Sequence, residues 1–353
     1  MRVHGWLSGI VPVAMLALAL ATGPVKAEVQ TAHFKVVGTW NNQSPFLAGE
    51  EPFWKETLPK ASGGKLTAQI NSIVELGLKG WEVMRLTKIG VFDVAHGVYG
   101  YVASEEPALE GIDLGGVAKD FEQGRQITAA YSAVVAKRFD EAFNAKHLMT
   151  YPFPSQMVFC SKPFEKLTDL KSKRVRVYST TLGDFIEGLG GTSVTLTYAE
   201  VVPALQKGVA DCAITGTMPA YQGKWHEVIT HLLKIRVNMG LAFMAMSNKA
   251  WNALNADTQT LLRDQFKQLE EQMWAYSAAE DEQAFRCLSG KGDCPLGKPG
   301  NVIITEPTEA DFKVRDQLLS ETVLKRWAAR CSAKCVAEWN ATVAPIVGVK
   351  AEK

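Results

Sequence analysis

This 353-residue chain has no excess of charge of either sign: 38 lysines and arginines stand against 37 aspartates and glutamates, a formal net charge of +1. A surface for nucleic acid or anionic lipid is therefore not expected. Histidine is sparse, with six in all; His4 lies in the leader and the others are scattered. The common catalytic signatures are missing as well: no Gly-x-Ser-x-Gly elbow, no His-Glu-x-x-His and no phosphate-binding loop. Gly188-Leu189-Gly190-Gly191 looks like a glycine-rich loop, but it ends a helical pattern instead of opening one. Carboxylate pairs such as Glu50-Glu51 and Glu270-Glu271 read as solvated faces, and no catalytic residue is assigned.

Long apolar runs are also few. One spans residues 7–21, about 15 residues where a bilayer span needs roughly 20. Arg2 precedes it and Val25-Lys26-Ala27 follows with the small-x-small pattern of a signal peptidase site, so residues 1–27 are expected to be a cleaved export signal. An uncleaved anchor is the alternative. No cysteine lies near the cut, so a lipoprotein is not expected. Loss of Arg2 and Lys26 would leave the mature chain one charge on the acidic side of neutral. The remainder is long enough for two lobes, each with its own core.

Six cysteines suit an oxidising compartment. Cys287 and Cys294 flank a glycine-rich stretch, and Cys331 and Cys335 lie four apart; these four allow three pairings, which sequence leaves open. Cys160 and Cys212 either pair within one lobe or stay free and buried. No Cys-x-x-Cys or paired histidine accompanies them, so staples are expected and no metal site is assigned.

The mature chain alternates at residues 33–39, turns helical over 45–60, and stops at Gly63-Gly64. Strands at 65–73 and 91–95 bracket a helix at 80–89, a β-α-β-α-β rhythm that predicts a doubly wound α/β sheet. A long helix is predicted over 121–143. A second cycle follows: strands at 156–161, 174–178, 194–197 and 211–214, with a helix at 181–189. Thr197-Tyr198-Ala199-Glu200 fits a capping box that opens a helix to Gln206. Residues 235–247 are extended and apolar and are expected to cross back to the first lobe. Leu262, Phe266, Leu269, Met273 and Tyr276 share one face of a helix over about 257–286, roughly 45 Å long.

Asp169-Leu170-Lys171-Ser172-Lys173-Arg174-Val175-Arg176-Val177 resembles the Asp-Leu-Lys-Gly-x-Lys-x-Arg-Val signature of TRAP-transporter solute-binding proteins, the dicarboxylate-binding (DctP-type) family. The similarity continues, in order, through Gly63-Gly64-Lys65-Leu66, Glu75-Leu76-Gly77, Leu189-Gly190-Gly191, Tyr198-Ala199-Glu200, residues 204–211, Trp225-His226-Glu227-Val228 and residues 246–251. The resemblance implies a two-lobed periplasmic binding protein fold with a long helix spanning both lobes. It implies no catalysis and no cofactor. It divides the chain into a first lobe (28–153 with about 240–257), a second lobe (154–239 with about 290–353) and a connecting helix (258–286). It also implies a periplasmic receptor, expected to be monomeric, that delivers a small organic acid to the small and large TRAP permease subunits.

The family's ligand-gripping arginine falls on Arg176. A guanidinium pairs with a carboxylate through two parallel hydrogen bonds and stays charged when desolvated. Strand alternation puts Arg174 on the same face, and only the family register separates the two. Where many members carry a second arginine this chain has Gln156, and Thr215 replaces a ligand-binding asparagine. With one charge missing, a monocarboxylate is expected. Matching positions add Tyr198, Asn41 and Asn42 as pocket candidates; His96 and Tyr99 join them as the residues after the 91–95 strand, and Trp40 and Met218 as neighbours of segments that the family brings to the cleft. Aromatic lining suits an aromatic acid, though another small organic acid stays open, and Trp81 and Phe243 read as core. Two other readings are a periplasmic hydrolase using cleft carboxylates and the binding component of an ATP-driven importer.

Overall fold

The computed structural model describes residues 1–5 and 28–353, so the expected export signal lies, but for its first five residues, outside the described part. Eleven strands occur among the described residues. They are β1 (Ala32–Gly38), β2 (Leu66–Ser72), β3 (Val94–Val98), β4 (Ala145–Pro152), β5 (Gln156–Cys160), β6 (Arg174–Val177), β7 (Thr192–Thr195), β8 (Cys212–Gly216), β9 (His231–Asn238), β10 (Leu241–Ser247) and β11 (Ile303–Thr305). They form two sheets, ordered β2-β1-β3-β10-β4 and β11-β9-β5-β8-β6-β7. Each sheet centres one α/β lobe.

Each sheet is parallel apart from one strand, β10 in the first and β5 in the second. Central strands covered on both faces need no polar side, and β5, β8 and β10 are buried along their whole length. Edge strand β7 is Thr-Ser-Val-Thr and is nowhere fully buried, which suits a strand with one side open.

The two exceptional strands are the crossings between lobes. β4 runs into β5 through residues 153–155, and β9 runs back into β10 through Met239 and Gly240. The crossings lie side by side: Pro152 pairs with Leu241, Gln156 with Asn238, and Phe153 N donates to Gly240 O at 3.1 Å. The extended stretch expected at 235–247 is thus two strands with a two-residue bend.

The long helix Ala256–Ser289 is a third connection. Asn255 caps its start by accepting from Thr258 N, and Gly290, at φ 68°, ends it. Its 34 residues extend roughly 50 Å. Leu262, Phe266, Leu269 and Met273 pack into the core that includes the first lobe, and Ala284, Phe285, Cys287 and Leu288 into the second lobe's. Tyr276, expected on the same stripe, is exposed. The helix Phe121–Phe143 covers the first sheet over the predicted range. No helix among the described residues is long and apolar enough to cross a membrane.

Three disulfides use every cysteine: Cys160–Cys212, Cys287–Cys294 and Cys331–Cys335. The first joins register neighbours on β5 and β8. At the C-terminal end, β11 pairs with β9, whereas Trp327 and Trp339 donate their indole N–H to Pro107 O and Gly111 O, both at 2.8 Å.

Candidate functional site

On β6, Arg174 is exposed and grips Asp211 with two nitrogens, Nε at 3.0 Å and Nη2 at 2.8 Å. Two residues on, Arg176 is only 1% exposed. Its Nε donates to Leu196 O at 2.9 Å and its Nη1 to Ile214 O at 2.8 Å, and its guanidinium carbon lies 5.5 Å from the Tyr178 ring. Among the described residues no carboxylate comes within the 4.0 Å of an ion pair. Burial pulls its pKa below the usual value, while Tyr101, Tyr178 and Tyr198 oppose that pull. A buried cation without an anion is costly unless something supplies the anion.

Arg176 lines a cavity between the lobes. Trp40 and Gln43 reach it from just past β1, and Val98 and Tyr101 from the end of β3 and the turn after it. The second lobe contributes Gln156, Tyr178, Tyr198, Thr215 and Pro219, while Phe153 and Gly240 come from the crossings. Most of these sit at the carboxyl ends of parallel strands, where open α/β sheets bind ligands. The walls are mainly aromatic. Trp40 meets Tyr101, Tyr198 and Phe153 at ring distances of 5.8, 5.6 and 6.0 Å. Tyr198 in turn stacks on Trp225 at 5.8 Å.

Hydrogen bonds close the mouth across the lobes. Gln43 Nε2 donates to Tyr198 Oη at 2.8 Å, and Tyr198 N donates to Tyr101 Oη at 3.1 Å. Ser44 exchanges two bonds with Gln222, and Lys79 reaches Glu200 at 3.1 Å. The capping box holds the turn that carries Tyr198: Glu200 accepts from Thr197 N and Oγ1.

Of the ten residues singled out from sequence, Arg176, Gln156, Thr215, Tyr198 and Trp40 line this cavity. Asn41 is half-buried and Asn42 exposed, and it is the next residue of that turn, Gln43, that faces the cavity. His96 lies within the first lobe, where it meets Trp54 and Tyr151. Tyr99 is turned the same way, its hydroxyl on Thr150 at 2.6 Å and His147 at 2.9 Å. Met218 is wholly buried in the second lobe's core. Phe243 is core, and Trp81 stacks on Tyr101 at 4.3 Å.

Sequence reading missed Gln43, Tyr101, Tyr178, Phe153 and Gly240. Tyr178 follows Arg176 at strand period, a signal that was available. Phe153 and Gly240 carry none, since only the crossing places them.

Comparison with known proteins agrees with this architecture. The sequence pattern of bacterial extracellular solute-binding protein family 7 (DctP) matches residues 36–296. The sialic acid-binding periplasmic protein SiaP of Vibrio cholerae is 21% identical over 250 residues, covering 70% of this chain and 78% of that protein. Among solved structures, the Bordetella pertussis receptor DctP7, which binds pyroglutamic acid, superposes with a TM-score of 0.76 at 19% identity, covering 88% of this chain and 99% of that one. A Desulfovibrio salexigens TRAP periplasmic solute-binding protein with bound orotic acid gives 0.79 at 17% identity, covering 89% and 99%. The chain belongs to bacterial extracellular solute-binding protein family 7, the TRAP periplasmic receptors, and is a binding receptor rather than an enzyme.

Proposed function

We propose that this receptor captures a small organic monocarboxylate through Arg176 and delivers it to TRAP-type membrane subunits. The observation that carries the reading is the buried guanidinium with no carboxylate partner among the described residues. Its Nε and one Nη1 proton are taken by carbonyls, so a carboxylate would meet it end-on through Nη1 and Nη2. One charge suffices, because Gln156 and Thr215 complete the polar wall without a second cation. The rings of Trp40, Tyr101, Tyr178 and Phe153 suit a compact, flat or apolar body. Pyroglutamate and orotate, held by the two receptors of like fold, are small ring acids of this kind.

The test is a thermal-shift panel of small organic acids on the purified receptor. A ligand at a hundredfold excess over Kd contributes about 2.7 kcal/mol, a shift of several degrees. Arg176→Ala should abolish the shift, and Arg176→Lys, which keeps the charge but loses the fork, should weaken it about tenfold or more. Full binding by Arg176→Ala would overturn the reading.

A further inference from the structure

Gln43 is 1% exposed, lines the cavity, and has one amide atom with nothing to do. Its Oε1 is buried, and among the described residues no donor reaches it. The orientation of the amide follows from its neighbour. Tyr198 Oη lies 2.6 Å from Pro219 O, and a carbonyl can only accept, so the hydroxyl proton is committed there. The Tyr198 oxygen can then only accept from Gln43, which turns the Gln43 NH2 toward it at 2.8 Å. The carbonyl end of the amide is left buried and without a partner among the described residues, on a residue that lines the cavity.

We infer that the ligand brings an N–H or O–H donor to Gln43 Oε1, which makes Gln43 a determinant of specificity for hydroxy acids or ring N–H acids over plain alkyl or aryl carboxylates. This rests on the carboxylate reading of Arg176. The two contacts come from opposite lobes, Gln43 from the first and Arg176 from the second, so one ligand engages both only when the lobes are closed on it. In this closed arrangement the Gln43 NH2 is tied to Tyr198. A ligand without a donor therefore leaves Oε1 shut away from both water and partner, and a site built to pair a donor rejects the analogue that lacks it.

The experiment measures affinities by calorimetry for matched pairs that differ only in the donor: mandelate with phenylacetate, pyrrole-2-carboxylate with furan-2-carboxylate, and 4-hydroxybenzoate with benzoate. They are measured on the wild-type receptor, Gln43→Met and Arg176→Ala. The expected result is a donor acid bound about tenfold or more tighter than its partner, with the gap closing in Gln43→Met. If Gln43→Met does not fold, Gln43→Leu takes its place. Pairs that tie in the wild type, or a gap that persists without Gln43, overturn the inference while leaving the carboxylate reading intact if Arg176→Ala still loses binding. No binding of any acid, or binding indifferent to Arg176, overturns both.

Discussion

Glu50 is fully buried in the first lobe and is held by donors instead of by a cation. Thr39 N and Thr39 Oγ1 each donate to it at 2.7 Å, and Tyr151 Oη at 2.8 Å. The Trp54 indole N–H can only donate, so His96 Nε2 accepts it at 2.9 Å and the ring proton sits on Nδ1, facing Tyr151 Oη at 3.1 Å. Burial lowers the His96 pKa, which keeps the ring neutral. A histidine that sequence placed beside the ligand thus serves the first lobe's interior. Tyr151→Phe would strip one donor from Glu50 and one acceptor from His96. It should cost about 1–3 kcal/mol in chemical denaturation with ligand affinity little changed.

At the level of elements, the double crossing depends on one glycine. Gly240 adopts φ 66°, and a Cβ there would lie 2.5 Å from Gln156 Nε2 and 2.6 Å from its Cδ. The close approach lets Gln156 lie flat against the crossing while its Nε2 donates to Pro154 O at 2.9 Å. Gly240→Ala should cost about 1–2 kcal/mol from the left-handed backbone alone, read as a lower denaturation midpoint. It should also weaken acid binding in calorimetry, because Gln156 must move. Elements with clear period were legible in sequence, including the helix Phe121–Phe143 and the strand carrying Arg176. β4 was not: its Ala-Lys-His-Leu stretch mixes charge with apolar residues, and it starts directly after Asn144 ends the helix at φ 50°. β11 is three residues long and is held by pairing with β9, so nothing local announces it.

At the scale of the whole molecule, Asp113 ties the body of the protein to the crossing. It accepts from Met239 N at 2.8 Å, Leu241 N at 3.0 Å and Asn238 Nδ2 at 3.0 Å, and Asn238 also donates to Tyr178 Oη in the cavity wall. Burial pushes its pKa up from 3.8 to about 7, with the backbone N–H groups of Leu241 and Met239 opposing. The folded carboxyl therefore holds a proton that the unfolded chain has already lost. Its stabilising effect is full below an unfolded pKa of about 4 and is lost as pH climbs through about 7. Compared with Asp113→Asn, the wild type should lose stability across that window, measured by denaturation at a series of pH values. Glu280, also pushed up to about 7, and His147, pulled down to about 4, act in both proteins, so the difference isolates Asp113. Parallel pH dependences would sink the assignment.

The sequence by itself determined the α/β class, the long helices, the capped turn before Tyr198 and the ordered motifs of the family, because each is written in local periodicity or in the order of short segments. Tertiary structure alone decided which arginine is buried, since Arg174 is claimed by Asp211, 37 positions away. It also decided which aromatic rings face the cavity and that Gln43 meets Tyr198 across 155 positions. Such choices depend on strand registers and lobe closure, which bring together residues that no local pattern relates.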